Sequence, residues 1–395
     1  MTNASEVSTE RDLLLERARM LAPKLRERAQ RCEDLRHITD ETAADLAQSA
    51  ITRVCQPRRF GGLEQDWETL CATMMELARG DGAQAWVANV YAEHAYWIAL
   101  FPEAAQQEVW GKNPAAFVTS SISQVGQSVE RTADGCVISG QWAFVSGVRH
   151  SEWTVIGELV PDTDGPPRYH FLLVPASDLT IVDDWHTMGL AGTGSMSVKA
   201  DRVFVPSHRM LSNADVLAGN TPGAAIHPNP IYRMPVFGFS GLGLASVPVG
   251  IAEAMTVDFG QTIGSRASHG RAAATVPSLM ARVSEASAEA HAARLLVLDG
   301  ARLNIAKLKS GASLDQADAA RTLRNGAYAC VLARRAASRL FEATGGQGIN
   351  LGQFLQRAFR DVHAAAAHRG LSWDTASMNF GKVISGQAPN PAPFS

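Results

Sequence analysis

Cysteine is scarce in this sequence and carries no pattern. Cys32, Cys55, Cys71, Cys136 and Cys330 are odd in number, far apart, and form neither a CxxC pair nor a cluster with histidine. That argues against a zinc site or a disulfide framework and fits a reducing cytoplasm. Charge is also thin: 19% of residues are charged, the net charge is −3, and no dense block of Lys or Arg occurs. Nucleic acid and anionic membrane surfaces are therefore not expected partners. The N-terminus, Met1 to Glu10, lacks a basic stretch followed by an apolar one, so no secretory signal is expected. The longest apolar stretch, near Val236 to Val249, is broken by Gly, Ser and Pro and reads as too short to span a bilayer. A phosphate-binding P-loop is absent. The nearest approach to a dinucleotide fingerprint, Gly241-Leu-Gly243-Leu-Ala-Ser246, lacks its third glycine and lies in a helix of small residues, which argues against nicotinamide bound on this fold.

What is present is core material: 395 residues, 46% of them hydrophobic, enough for two or three domains. From Glu10 to about Gln107 the apolar period is helical, with a loop over Arg53 to Gly62, a helical run from Trp67 to Arg79, and an apolar helix from Ala83 to Leu100. From Phe117 to about Leu211 the period changes to two, with strands predicted at Phe117 to Ser123, Cys136 to Val145, Trp153 to Leu159, Tyr169 to Pro175 and Val198 to Val205. A Gly/Pro-rich connector, Ala218 to Pro235, leads into helices at Gly241 to Gly260 and Thr275 to Leu308. A third opens at Ser313 with a capping box to Gln316 and stops at Gly345-Gly346, and a last runs from about Leu351 to Gly370 before a loose tail. Helices, then strands, then helices predict an α+β architecture with an antiparallel barrel or sandwich in the middle.

The strand region holds the densest chemistry. Gly140-Gln-Trp142-Ala-Phe144-Val-Ser146-Gly147 alternates aromatic rings and ends in a hydroxyl and a glycine. Trp185 and Gly189-Leu-Ala-Gly192-Thr193-Gly194-Ser195 follow. Such a strand can present rings to a flat cofactor, place a hydrogen-bonding group at its edge and bring backbone close, which reads as flavin-handling structure or, equally, as a core strand with a Gly-rich turn. His94 sits in a helix that is apolar on nearly every side, and a buried imidazole needs a partner. It is either structural or the polar group of an apolar pocket. His363 and His368 are five apart and cannot chelate a metal from one helix face. Arg266, Ser268 and Arg271 form either a solvated face or a phosphate contact.

Together, Arg59-Phe-Gly-Gly62, Trp142-Ala-Phe-Val-Ser-Gly147, Gly189-Leu-Ala-Gly-Thr-Gly-Ser195, Gly345-Gly-Gln-Gly348 and Arg360-Asp-Val-His-Ala-Ala-Ala-Ala-His368 resemble the acyl-CoA dehydrogenase superfamily over nearly the whole chain. The closer resemblance is to its two-component flavin-dependent monooxygenase branch, the oxygenases similar to p-hydroxyphenylacetate hydroxylase and the dibenzothiophene monooxygenases. It implies an N-terminal helical domain over 1–115, a middle β-barrel over 116–218, a C-terminal four-helix bundle over 219–395, and a homotetramer. By the same resemblance Phe144 stacks on the isoalloxazine, the Ser146 hydroxyl meets flavin N5, and Ser121 lines the ring. Ser123, Trp142, Gly147, Thr193 and Ser195 complete the cofactor site. Arg266 and Ser268 reach the flavin phosphate, and Gly346, Gln347 and Gly348 meet a neighbouring subunit's cofactor. Many dehydrogenases of the superfamily carry a catalytic Glu where this chain reads His368-Arg369-Gly370-Leu371, so that base is missing here. The hydroxylase branch has histidines matching His368 and His94 facing the substrate, with Trp86 and Tyr91 as further candidates for the pocket wall. The implied reaction uses reduced FMN or FAD from a separate NAD(P)H:flavin reductase and O2, without metal. It forms a C4a-hydroperoxide in a dry cavity and hydroxylates a small aromatic of phenol or indole type. Ser146 restrains peroxide loss, and His368 or His94 takes the substrate proton. The rivals are an N-oxygenase of an amino sugar, an acyl-CoA dehydrogenase with another base, and a scaffold that has lost its flavin.

Overall fold

The computed structural model describes residues 4–162, 165–236, 239–265, 267–268 and 271–390. Its first layer is helical: α1 (Ala4–Leu35), α2 (Asp40–Ser49), α3 (Trp67–Ala78), α4 (Gly82–Ile98) and α5 (Glu103–Trp110). Local chemistry starts these helices where the chain supplies an acceptor for an unpaired N–H. Thr39 accepts from Thr42 N at 3.2 Å, Asp66 from Thr69 N at 3.1 Å and Asp81 from Gln84 N at 2.9 Å. Helix α4 shows no helical period because nearly all its sides are covered.

The strand region forms two four-stranded sheets built from β1 (Val118–Ser121), β2 (Ser123–Arg131), β3 (Gly135–Val145), β4 (Trp153–Val160), β5 (Arg168–Pro175), β6 (Thr180–Val182), β7 (Met196–Pro206) and β8 (Met210–Ser212). Their orders are β1-β4-β5-β8 and β2-β3-β7-β6. Strand β1 runs parallel to β4, with Val118 beside Trp153, and the other pairs are antiparallel. Between the sheets lies a separate apolar core around Ile138, Trp142, Ile156, Leu172 and Val198. The sequence period located β3, β4, β5 and β7. It missed most of β2, which is polar and faces solvent, and the three-residue β6 and β8.

Short helices α6 (Asn213–Ala218) and α7 (Pro222–Ile226) lead to the C-terminal helices α8 (Gly241–Ser265), α9 (Pro277–Lys309), α10 (Gln316–Glu342), α11 (Phe354–Ala366) and α12 (Trp373–Ile384), with a two-residue hairpin, β9 (Ala267–Ser268) and β10 (Arg271–Ala272), after α8. Three expectations are corrected here. The α10 cap is Asp315, boxed with Asp318, because its carboxylate accepts from Asp318 N and the Asp318 side chain from Asp315 N. Helix α11 ends at Ala366, four residues short, and α12 follows unforeseen. Helix α8 is long and apolar enough to cross a membrane by length and composition, because Pro248 and its glycines do not interrupt it. The apolar window is 78% buried, and the helix packs against α3, α9, α10 and α11.

Trp142 is wholly buried in the sandwich, its Nε1–H donated to Glu158 Oε1 at 2.7 Å. Burial pushes the Glu158 carboxyl up to about 7 from its ordinary 4.5, against the lowering effect of the Trp142 bond. The folded state therefore holds a proton that the unfolded chain has released, and this contribution to stability is full below pH 4.5 and is lost as pH rises through 7. Glu158→Gln, neutral at every pH, is expected to gain on wild type between about pH 5 and pH 8, by on the order of 3 kcal/mol at full ionisation. Thermal midpoints of both proteins across that range check it, and parallel curves would contradict it.

Candidate active site

The helical and strand layers meet where β3 ends. Phe144 breaks the β3–β7 register and takes φ 63°, a conformation that costs a bulky residue about 1–3 kcal/mol. The result is that its ring points outward, 63% exposed, edge-on to Trp185 at 6.1 Å. Two residues on, Ser146 opens a line of hydroxyls. Trp86 Nε1 lies 3.3 Å from Ser146 Oγ, Ser146 Oγ 2.7 Å from Ser195 Oγ, and Ser195 Oγ 2.7 Å from Thr193 Oγ1, which donates to Leu190 O at 2.8 Å. An indole N–H only donates and a carbonyl only accepts, so the line has one polarity: Trp86 to Ser146 to Ser195 to Thr193 to Leu190. Ser146 thus spends its hydrogen on Ser195 and keeps one lone pair, and to any group placed before it Ser146 is an acceptor.

The turn that carries Thr193 and Ser195 is held from the helical bundle. Asp361 Oδ1 accepts from Leu190 N at 2.6 Å, and Arg360 donates to Met188 O at 2.6 Å. Leu190 has φ 53°, and a β-carbon on Gly189 would fall 2.3 Å from Arg360 O. Burial, then the neighbouring Asp81, raises the Asp361 carboxyl above its ordinary range. Gly147, at φ 74°, closes the other side: its N–H donates to Thr193 O at 2.9 Å, and Tyr91 donates to its carbonyl at 2.6 Å.

Both candidate histidines come to this junction with fixed tautomers. His94 Nδ1 bonds Val90 O, so it carries the proton, and Nε2 accepts from Ser120 Oγ at 2.6 Å. His368 lies past the end of α11, where Nδ1 accepts from Gly370 N at 3.1 Å; its Nε2 therefore carries the proton. Its ring sits 5.7 Å from that of Trp86. His368 is itself exposed, with neighbouring protein packed around its ring. Desolvation lowers each imidazole to about 4.

Hydrogen bonds and a ring contact thus link Trp86 with Ser146, Ser195, Thr193 and His368, Gly147 adjoins Thr193, Phe144 precedes Ser146 by two residues, and His94 stands about two turns along α4 from Trp86; we take the space these residues border as the candidate hollow. Two expected members lie elsewhere. Trp142 is in the sandwich core, because its place in the β3 alternation points it inward. Tyr91 is buried against Phe117, rings 4.1 Å apart and stacked, and supports Gly147 rather than the hollow. Ser121 donates to Ala143 O at 2.6 Å, beside the bend at Phe144. Gly346, Gln347 and Gly348 form a turn before α11, whereas His368 follows its far end, about 20 Å away by helix rise. Arg266 and the side chains of Ser123 and Ser268 lie outside the described residues. Sequence reasoning missed Ser120, which alternation puts on the opposite face of β1 from Thr119 and Ser121, and Asp361, whose role depends on a loop 171 residues away.

Residues 8–116 match the N-terminal domain of acyl-CoA dehydrogenases, and residues 242–373 match their C-terminal domain. The oxygenase component of FADH(2)-dependent resorcinol hydroxylase from a Rhizobium species is 33% identical over 388 residues, 95% of each chain. Among solved structures, the HsaA monooxygenase of M. tuberculosis superposes with a TM-score of 0.91 at 30% identity, covering 96% of this chain and 99% of that one. XiaF from a Streptomyces species, in complex with FADH2 and glycerol, gives 0.91 at 26% identity over 98% and 99%.

Two outcomes are expected of this geometry. Asp361→Ala frees the Leu190 amide, whose hydrogen exchange is expected to quicken roughly tenfold or more, while Asp361→Asn keeps the acceptor and most of the protection. Slow exchange in the Ala variant would remove Asp361 as the clamp. By NMR of the ring protons, neither His94 nor His368 is expected to protonate until pH approaches 4. The stability each lends is present above pH 6.5 and lost as pH falls through 4. A midpoint near 6.5 for either ring would refute its desolvation.

Proposed function

The chain belongs to the acyl-CoA dehydrogenase family, in its branch of flavin-dependent oxygenase components, and from that premise we propose that it hydroxylates a small aromatic of phenol or indole type. It is a flavin-dependent monooxygenase that receives reduced flavin from a separate reductase. The observation that carries the reading is the one-way hydroxyl line ending at Ser146 beside the outward Phe144 ring. A reduced flavin presents a flat face to an aromatic ring and an N–H at N5 to an acceptor, and Phe144 and Ser146 supply those two partners. When bound, the flavin with O2 supplies the oxygen atom for transfer.

The chain's own groups do the rest. Ser146, held by Trp86 and Ser195, would offer its free lone pair to the flavin's N5 hydrogen if the cofactor bound here, and by holding that hydrogen would discourage release of hydrogen peroxide. Thr193 and Ser195 hold the left-handed turn against the ring edge. His94 Nε2 accepts from the Ser120 hydroxyl, which can in turn accept a hydrogen bond from the substrate's hydroxyl and so raise electron density on its ring. His368, its proton on Nε2, is the donor of the pair. Two neutral imidazoles keep the hollow free of fixed cations and of the water they would draw in.

An acyl-CoA dehydrogenase is disfavoured because no carboxylate stands at His368, and a flavin-free scaffold because Phe144 would have no reason to be strained outward. The N-oxygenase reading has no comparable support among the relatives. A homotetramer is supported by apolar side chains left exposed on the bundle, among them Leu295, Leu303, Met378 and Ile384. A cytoplasmic setting is supported by five free, buried thiols.

The test supplies photoreduced FMN or FAD with labelled O2 to the protein and a panel of phenols, indoles and thioethers. Hydroxylated arene carrying the label is expected. Oxygen consumption that yields only hydrogen peroxide with every substrate would overturn the assignment. Ser146→Ala is expected to divert several-fold more oxygen to peroxide, and an unchanged partition would deny Ser146 its part.

A further inference from the structure

Every residue of α4 is buried except Glu93. A side chain that keeps accessible surface in the middle of a covered helix borders an internal hollow, and its neighbours identify which one. A β-carbon on Gly243 would fall 2.0 Å from Glu93 Oε1. The next residue, Leu244, reaches within 3.8 Å of a β-carbon on Gly370, which would itself lie 3.2 Å from His368 Nδ1. On α4, Glu93 follows Trp86 by two turns and adjoins His94. Glu93 therefore lines the hollow of Trp86, His94, Ser120 and His368, on the wall made by the start of α8.

Its carboxyl is poorly satisfied there. Oε1 accepts from Asn89 Nδ2 at 2.9 Å, and Asn89, with no exposed surface, leaves its Oδ1 without a partner. A buried amide and carboxyl with bonding capacity to spare are costly in the free protein, and a ligand that completes them gains what their desolvation lost. Gly243 supports this arrangement, since any larger residue would displace the carboxyl. Burial, opposed by the Asn89 bond, pushes Glu93 up to about 8, so near neutral pH it is mainly an uncharged acid that both donates and accepts.

We propose that Glu93, backed by Asn89, selects the substrate: it hydrogen-bonds a second hydroxyl or amino group on an aromatic whose first hydroxyl lies at Ser120 and His94. The inference rests on the aromatic-hydroxylase reading and narrows it. Dihydroxy- and aminohydroxy-arenes satisfy the acid. A monohydroxy-arene leaves it unpaired. An arene with a carboxylate at that end brings a second acidic group against the Glu93 carboxyl in a desolvated wall and is turned away.

The experiment measures binding without turnover, by intrinsic tryptophan fluorescence, of resorcinol, 3-aminophenol, phenol and 3-hydroxybenzoate to the full chain and to Glu93→Gln and Glu93→Leu. Wild type is expected to hold resorcinol and 3-aminophenol roughly tenfold tighter than phenol, with 3-hydroxybenzoate weakest. Glu93→Leu is expected to level resorcinol with phenol, chiefly by weakening resorcinol, and Glu93→Gln to retain part of the preference. In turnover the change falls on KM for the second hydroxyl rather than on kcat. Should Glu93→Leu be unstable, as circular dichroism would reveal, partial loss in Glu93→Gln serves the same purpose, and full preference in that variant overturns the proposal. Undiminished preference in a folded Glu93→Leu overturns the selecting role while sparing the hydroxylase. Failure of wild type to bind any of the phenols overturns the aromatic-substrate reading, and this proposal with it.

Discussion

The hydrogen bond from Leu190 N–H to the Asp361 carboxyl is the constraint on which the site depends. Leu190 occupies a left-handed conformation that its side chain disfavours, and a turn so bent stays in place only when its surroundings over-determine it. Asp361 and Arg360 do this from a helix of the C-terminal bundle, gripping the N–H of Leu190 and the carbonyl of Met188 on either side of a glycine. With the turn held, Thr193 and Ser195 face Ser146, and the hydrogens of the whole line are assigned. The helix tail also delivers His368. One segment thus sets both the direction of the hydroxyl line that ends at Ser146 and the position of His368.

Desolvation is the second theme. Desolvation by neighbouring protein lowers His94 and His368 and raises Glu93 and Asp361, although His368 keeps an exposed face, so all four lean toward their neutral forms. The polarity of the site comes from hydrogen bonds of fixed direction: donors at His368 Nε2, acceptors at Ser146 and His94 Nε2. The strain at Phe144 has the opposite effect on its ring, since a relaxed strand would turn it toward the sandwich core beside Trp142 instead of outward.

Much of this was legible along the chain. Period-two alternation located four main strands, and apolar helical runs located the two helical layers, because those patterns report on which faces are buried and burial is what decides the elements. Errors fell where local signals compete or are weak. Ser313 and Asp315 are both good caps, and the choice of Asp315 turns on the reciprocal bond with Asp318. Strand β2 is too polar in sequence for an alternation to stand out. The alternation that places Phe144 and Trp142 on one side of β3 was read as two cofactor contacts. The break in register at Phe144 separates them.

The missing dehydrogenase base at His368 emerged only from the family resemblance, while the chain by itself determined its class of fold, the order of its layers, and the cluster of hydroxyl and glycine residues at 144–147 and 189–195. These depend on composition and on spacing within one element. The tertiary structure alone decided which nitrogen of each histidine bears the proton, which way the hydroxyl line points, that Tyr91 is a prop, and that Glu93 opens onto the hollow. Each of those depends on a partner that is distant in sequence, and the directionality of hydrogen bonds and the loss of solvent act only once packing has brought the partners together.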